Sequence, residues 1–338
     1  MERESRHTRK LKKTRPHPVI GVRGTIFPEL LFVTSRTNGS GLDMAQKKRV
    51  TLIYNENAGS AGQSRSDIIE LISHVGFSVT CFSNRKSDIE AAIDAPADIV
   101  VVAGGDGTVA KVAARMRPNG CPIAVLPLGT ANNIAKSLGI GRPTVELVAS
   151  WHFENLMAFY PISVVGPWGR CRIVEGVGFG AIEQAIAELP RKTGFARARS
   201  KYAEAALNAP AEKLKIRIDS EAITGSFSVL EVTKFPHVGP NLCLAPGIDS
   251  VHRSFAVCSV GDGVRERRAM AKWLTQPHCG AAPVSMRTAS LLEIVGQFRQ
   301  VRVEGHLWRN KTNGKNGDAT QVIVLEAEPE PLLFLMPQ

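Results

Sequence analysis

Residues 99–108 read Ile-Val-Val-Val-Ala-Gly-Gly-Asp-Gly-Thr, an apolar run that ends in a glycine-rich turn. The run from Ile99 to Val102 predicts a buried strand. Because glycine has no Cβ, the backbone of the turn can adopt unusual dihedral angles and approach an anion closely. The residues that follow, Val109 to Met116, predict an apolar-faced helix whose N-terminal amide groups attract negative charge. The stretch therefore predicts either a phosphate site or a tight strand-to-helix turn without a ligand.

The same order of strand, small-residue turn and helix occurs twice more. The apolar run 123–126 precedes the turn 127–132, and the run 50–54 precedes the turn 55–62. Because the carboxyl ends of parallel strands meet at one edge of an open sheet, the three turns should lie together there. The pattern therefore favours a nucleotide phosphate site in an α/β domain with a parallel sheet.

Two of these turns resemble the motifs of a known family. Gly-Gly-Asp-Gly-Thr at 104–108, followed by Pro-Leu-Gly-Thr-Ala-Asn at 127–132, is similar to the catalytic domain of diacylglycerol kinases, shared with sphingosine kinases and bacterial lipid kinases. NAD kinases and phosphofructokinases resemble only the first motif. The resemblance is strong over residues 48–140 and thinner afterwards. It implies an α/β nucleotide domain, a β-rich second domain, and phosphorylation of a lipid hydroxyl in phospholipid metabolism with ATP and Mg²⁺.

The resemblance also implies a set of site residues. The nucleotide-binding candidates are Asn55, Gly59, Asn84, Gly104, Gly105, Asp106, Gly107, Thr108, Val109, Ala110 and Thr130. Asn84 is a loose match, made only by its spacing before Ser87 and Asp88. Asp106 is the candidate ligand for Mg²⁺, an ion that prefers oxygen ligands. The catalytic candidates are Asp106 and His252.

The second half of the chain departs from the family pattern at three places. Gly180 stands where aspartate is usual, and His252 and Ala256 stand where the family has two carboxylates. A third departure is the sequence Glu304-Gly305-His306, in place of Asp-Gly-Glu. The proton acceptor is therefore open between His252, whose ordinary pKa of about 6.5 suits a general base, and Asp106. A third interpretation is a regulatory relative that binds nucleotide and lipid with little or no transfer.

Length and composition agree with two soluble domains. The 338 residues exceed the usual size of a single core, and no apolar run approaches the roughly 20 residues of a membrane-spanning helix. We expect a disordered basic extension over 1–47, a nucleotide domain over 48–145, a lipid domain over 146–325, and a strand in 326–338 that returns to the first domain. The six scattered cysteines predict reduced thiols in the cytoplasm and no metal framework.

Short alternating runs after residue 145 predict an antiparallel sandwich or barrel. The predicted strands are 160–165, 213–219, 227–233, 255–260 and 321–325, with helices near 181–188 and 264–276.

The net charge of +11 comes partly from the basic segment 1–18. This segment is either a dispensable or non-native extension or an arm for anionic lipid or nucleic acid. A second basic stretch, 191–202, is either a solvated face or a surface for a membrane, which would place the protein peripherally on the inner leaflet. No nucleic-acid-binding module accompanies the charge.

The family resemblance allows a homodimer, but no sequence feature indicates an interface.

Overall fold

The computed structural model describes residues 47–58, 63–190, 193–276, 280–309 and 320–338. The N-terminal basic segment, Gly59, and the first two cations of the second basic stretch lie outside these ranges.

The first sheet of the described chain has six strands in the order β2-β1-β3-β4-β19-β5. Their bounds are β1 (Arg49–Tyr54), β2 (Ser78–Ser83), β3 (Ile99–Gly104), β4 (Ile123–Pro127), β5 (Trp151–Phe159) and β19 (Leu332–Pro337). The first four are mutually parallel along the sheet, β19 is parallel to β4, and β5 is antiparallel to β19. The predicted parallel sheet is therefore confirmed, with one antiparallel strand at its edge.

Five helices accompany this sheet in the described ranges. They are α1 (Arg65–His74), α2 (Lys86–Asp94), α3 (Asp106–Ala113), α4 (Asn133–Ser137) and α5 (Thr144–Ala149). Local chemistry explains the start of α1, where Ser64 and Asp67 form a reciprocal capping box. Every residue of β3 is buried, as its continuous apolar run predicts for a central parallel strand.

The second sheet of the described chain is antiparallel and has eleven strands. Its strands are β6 (Ile162–Gly166), β7 (Gly169–Ile173), β8 (Gly176–Gly180), β9 (Glu212–Ile218), β10 (Glu221–Thr233), β13 (Phe255–Gly261), β14 (Ser285–Ala289), β15 (Leu291–Gly296), β16 (Gln300–Val303), β17 (His306–Arg309) and β18 (Gln321–Ala327). Helices α6 (Ala181–Glu188), α7 (Phe195–Asn208) and α8 (Val264–Thr275) pack with residues of β10 and β13. A short hairpin, β11 (His237–Val238) and β12 (Leu242–Cys243), completes the described strands. The β-rich half is confirmed.

Two boundaries differ from the sequence prediction. The helix after the glycine turn begins at Asp106 and not at Val109, because Gly105 takes the N-cap position. The first sheet continues to Phe159, beyond the expected change of character at residue 145, because β5 pairs along β19. The final segment lies in the first sheet, between β4 and β5.

Candidate functional site

The glycine turns predicted to bind phosphate meet at the carboxyl edge of the first sheet. The Asn55 side chain, after β1, donates through Nδ2 to Thr108 Oγ1 in the first turn of α3 at 2.8 Å. Leu128 N, after β4, donates to Gly104 O at 3.0 Å. Hydrogen bonds therefore join the segments that follow β1, β3 and β4.

Two glycines allow this close junction. A Cβ at Gly129 would lie 2.4 Å from the Cα of Gly105, and a Cβ at Gly104 would lie 2.7 Å from the Cβ of Thr108. A real Cβ atom does not come this close to another atom. Glycine at 129 therefore lets the backbone of Gly105 approach, and glycine at 104 leaves room for the side chain of Thr108. Gly107 is different: it is exposed, and a Cβ there would meet nothing within 4 Å. The space in front of Gly107 is therefore open to a ligand.

Asp106 links the two turns through one of its carboxylate oxygens. Its Oδ1 accepts a hydrogen bond from Ile134 N at 2.8 Å, in the first turn of α4. Asn132, at the N-cap position of α4, has a left-handed backbone with φ 50° and makes no side-chain cap. Its Oδ1 accepts instead from Gly129 N at 2.9 Å. Asp106 thus caps a neighbouring helix, while its Oδ2 makes no hydrogen bond within the described residues.

The remaining nucleotide candidates lie at the same edge with different exposures. Val109 and Ala110 are buried in the core of the first sheet, so only their backbone could face a phosphate. Thr130 is exposed in the turn after β4, and Asn84 is half-buried directly after β2. The edge therefore presents the backbone of α3 and the hydroxyl of Thr130, with Asn84 at its flank.

Among the described residues, no hydrogen bond joins His252 to this edge of the sheet. Its side chain is 71% exposed, and its Nδ1 is 3.2 Å from Asp249 Oδ2. The buried Lys234 holds the turn through its backbone, because Nζ donates to His252 O at 2.8 Å and to Ser254 O at 2.7 Å. Burial lowers the pKa of Lys234 to about 8. The segment that lacks the family's carboxylates is thus anchored by an ammonium group.

A group of charged side chains, which we call the carboxylate cluster, lies on α6, β10, β16 and the turns beside β8 and β16. It consists of Arg302 and the four carboxylates Glu175, Glu183, Glu231 and Glu304. Arg302 Nε is 3.0 Å from Glu183 Oε2, and its Nη2 donates to Glu231 Oε1. Burial would lower the pKa of Arg302, but Glu183 and Glu231 outweigh it and raise that pKa. Burial raises the pKa of Glu231 to about 8, against the effect of Arg302.

The departures at Gly180 and Glu304 have structural explanations. Gly180 has φ 86°, and a Cβ there would lie 2.4 Å from Ser228 O, so the aspartate usual in the family has no room. Glu304, with φ 55°, directs its carboxylate at the turn between β7 and β8. That carboxylate accepts from Val174 N and Glu175 N, both at 2.9 Å.

The carboxylate cluster was missed by the sequence interpretation. A signal was present, since Glu231 interrupts an apolar run in β10 and Arg302 lies between two valines in β16. A charge at an otherwise apolar strand position indicates a buried partner of opposite sign. The sequence could not identify that partner.

The second basic stretch is only partly available as a charged surface. Arg199 Nη2 donates to Pro240 O at 3.0 Å, and Lys201 Nζ pairs with Glu204 Oε2 at 2.7 Å. The pairing with Glu204 agrees with a solvated helix face.

Across the described ranges, no helix combines the length and apolar character needed to cross a membrane. In the same ranges, no group of three or more His, Cys, Asp or Glu side chains is arranged to hold a metal ion.

Comparisons with known proteins converge on one family. Residues 49–157 match the model of the diacylglycerol kinase catalytic domain. The chain is 24% identical over 212 residues to a diacylglycerol kinase of Bacillus subtilis strain 168, covering 59% of this chain and 69% of that protein. It is 28% identical over 103 residues to a diacylglycerol kinase of Staphylococcus aureus strain bovine RF122, covering 28% of this chain and a third, 33%, of that protein.

Solved structures show the same fold over most of the chain. A crystal structure of a diacylglycerol kinase from Bacillus anthracis strain Sterne has a TM-score of 0.56 at 11% identity, covering 86% of this chain and 97% of that one. A second structure from this strain has a TM-score of 0.61 at 15% identity, covering 86% and 98%. At these identities the likeness concerns the fold alone. Residues 49–157, which carry the motifs at the edge of the first sheet, are thus similar to the diacylglycerol kinase catalytic domain.

Proposed function

We propose that this chain is an ATP-dependent kinase that transfers phosphate to a hydroxyl of diacylglycerol or a related lipid. The observation that supports it is the junction of glycine turns at the carboxyl edge of the first sheet, where Gly105 and Gly129 touch and Gly107 faces open space. Phosphoryl transfer depends mainly on positioned phosphates and neutralised charge. An open glycine at a helix N-terminus can position phosphates, and the carboxylate beside it can hold a cation that neutralises their charge.

The residues at this edge fit a nucleotide and its Mg²⁺. The open space at Gly107 lets phosphate oxygens approach the start of α3, and Thr130 adds an exposed hydroxyl. Asp106 would hold Mg²⁺ through Oδ2, since Oδ1 is occupied by Ile134 N. When bound, Mg²⁺ neutralises charge on the transferring phosphate. We include Asn55, Asn84 and the backbone of 104–110 in the proposed site, together with Gly59, which lies outside the described ranges.

We propose a division of labour between the two sheets. Residues of the 48–145 region bind the nucleotide, and those of 146–325, apart from β5, bind the lipid, which enters from a membrane surface. Asp106 acts in the proposed reaction by holding the Mg²⁺ that neutralises the phosphates. The exposure of His252 makes it the weaker candidate for the proton acceptor, because a general base must reach the proton it takes.

A lipid-panel kinase assay tests the proposed activity. The purified chain is incubated with labelled ATP, Mg²⁺ and vesicles that carry diacylglycerol, sphingosine or monoacylglycerol. We expect labelled phosphate in one lipid, and loss of that transfer in an Asp106→Asn variant. ATP binding with no transfer to any lipid would overturn the kinase and leave a nucleotide-binding regulatory protein.

Two glycine substitutions test where the phosphates lie. Gly107→Ala adds a methyl group in open space and replaces glycine in a helix, so we expect stability to hold or rise by up to about 1 kcal/mol. If phosphate occupies that space, the free energy of ATP binding weakens by about 1–3 kcal/mol, roughly a five- to 150-fold loss of affinity. Calorimetric titration with ATP and urea unfolding measure the two effects.

Gly129→Ala is the matched comparison. Its methyl group meets the backbone of Gly105, so we expect an overpacking loss of about 1–3 kcal/mol in stability as well as weaker ATP binding. Unchanged ATP affinity in Gly107→Ala would show that the phosphates do not bind at the start of α3.

A further inference from the structure

The hairpin of β11 and β12 lies beside the glycine turns of the first sheet. Asn133, the first residue of α4, donates through Nδ2 to Gly239 O in the hairpin turn at 3.0 Å. The next residue, Ile134, donates its amide to Asp106 Oδ1 at 2.8 Å. Just before the hairpin, Phe235 is buried in the core of the first sheet. Direct contacts therefore place the hairpin turn next to the proposed phosphate site.

A second side chain holds the neighbouring residue of the same turn. Arg199, on α7, donates through Nη2 to Pro240 O at 3.0 Å. The turn itself is tight, because Asn241 N donates to Gly239 O at 2.8 Å and the two residues have φ 60° and 51°. The turn is thus fixed by Asn133 from the first sheet and by Arg199 from a helix of the second half.

Both side chains carry another polar atom that is buried and has no hydrogen-bond partner among the described residues. These atoms are Asn133 Oδ1 and Arg199 Nε, and Nδ1 of His237, on β11, is a third. Asn133 is only 5% exposed, and because its Nδ2 must face Gly239 O, Oδ1 is the free acceptor. Buried polar atoms are nearly always paired, since an unpaired one costs free energy. Three of them around one turn therefore indicate a site for a polar ligand.

The chemistry of the free atoms selects the ligand. Asn133 Oδ1 only accepts, so it needs a donor, whereas Arg199 Nε only donates, so it needs an acceptor. An ionised phosphate offers acceptors alone, but a hydroxyl beside an ester carbonyl offers one of each, as in an acylglycerol. Burial, and then the charge of Lys136, lower the pKa of His237. Its imidazole is therefore neutral at pH 7 and can bind a further hydroxyl.

We propose that the hairpin turn, Asn133 and Arg199 form the binding site for the polar head of the acceptor lipid. The free hydroxyl donates to Asn133 Oδ1, and the neighbouring ester carbonyl accepts from Arg199 Nε. This inference rests on the proposed kinase function and adds residues that hold the second substrate. Each half of the molecule contributes one of the two groups.

Binding of the short-chain lipid dioctanoylglycerol to the full chain tests this site without relying on turnover. Calorimetric titration gives its Kd, and a second titration uses the dialkyl ether analogue, which has the hydroxyl but no carbonyl. Arg199→Lys keeps the positive charge and removes Nε. We expect this variant to bind dioctanoylglycerol at least about tenfold more weakly, since hydrogen bonds from charged groups are among the stronger ones. Its Kd for ATP should stay at the wild-type value.

The ether analogue separates direct recognition from a change in the fold. Wild type should bind the ester more tightly than the ether, and Arg199→Lys should bind the two alike. Asn133→Ala should weaken the binding of both lipids by about two- to tenfold. The matched controls are Arg197→Lys, at an exposed position on α7, and Asn155→Ala, which removes an amide that donates to two backbone carbonyls of β19. Both controls should keep wild-type affinity for the lipid.

The outcomes for the site and for the kinase function are distinct. An Arg199→Lys variant that binds dioctanoylglycerol as wild type does, or that keeps the ester preference, would overturn the site and assign the buried atoms to ordered water. If that variant does not fold, equal binding of ester and ether by wild type would overturn the site, as would no binding of either. A wild-type chain that binds with ester preference but transfers phosphate to no lipid would overturn the kinase function alone.

Discussion

At the scale of single residues, the half-buried carboxyl of Glu212 makes stability depend on pH. Burial at the start of β9 raises its pKa from 4.5 to about 7, and Arg299 opposes the shift. The folded state therefore binds the proton more tightly than the unfolded state does. The stabilisation is fully present below about pH 4.5 and is lost as the pH rises through about 7. We expect Glu212→Gln to be more stable than wild type at about pH 8, by on the order of 1–2 kcal/mol after solvent screening.

Urea unfolding of both proteins at about pH 4.5 and about pH 8 measures this difference. The buried carboxylate cluster also titrates, but it is common to both proteins and cancels in the comparison. The two stabilities should approach each other at the lower pH. A difference that is the same at both pH values would mean that Glu212 titrates normally in the folded protein.

At the scale of elements, Arg302 joins β16, β10 and helix α6. Its guanidinium pairs with Glu183 and Glu231, which are 0% and 1% exposed as side chains. Removing one partner of a buried ion pair leaves uncompensated charge and costs about 3–5 kcal/mol. We expect that loss for Arg302→Met in urea unfolding, and partial recovery at lower pH as the two carboxylates take protons.

Arg287→Met supplies the matched control on another strand of the same sheet. Arg287 on β14 pairs with Glu221, and the two side chains are 40% and 62% exposed. Exposed pairs contribute about 0–1 kcal/mol, so this variant should unfold close to wild type. Equal losses in the two arginine variants would show that the pairing of Arg302 contributes little beyond a surface pair.

The same elements show what the sequence could predict. The turn after β3 was predictable because its strand, glycines and helix are consecutive in the chain. Glu183 and Glu231 lie 119 and 71 residues from Arg302, and no local pattern says which strands become neighbours.

At the scale of the whole molecule, three aromatic rings connect the sheets. Phe159 of β5 stacks on Phe235, which follows β10, with centroids 5.5 Å apart, and meets Phe334 of β19 edge-on at 5.6 Å. All three are buried. Because β19 is the last strand of the chain and lies between β4 and β5, the first sheet is completed only after the second has been synthesised.

We therefore expect Phe334→Ala to weaken both sheets together. Truncating a buried phenylalanine costs about 3–5 kcal/mol, and the ring of Phe159, which stacks on Phe235, loses its edge-on partner. Hydrogen exchange followed by mass spectrometry should show faster exchange in 99–104 of the first sheet and in 227–233 of the second, by the same free energy. Leu333→Ala, at a half-buried position on the same strand, should produce a smaller change. Faster exchange confined to β5 and β19 would mean that the two sheets unfold separately.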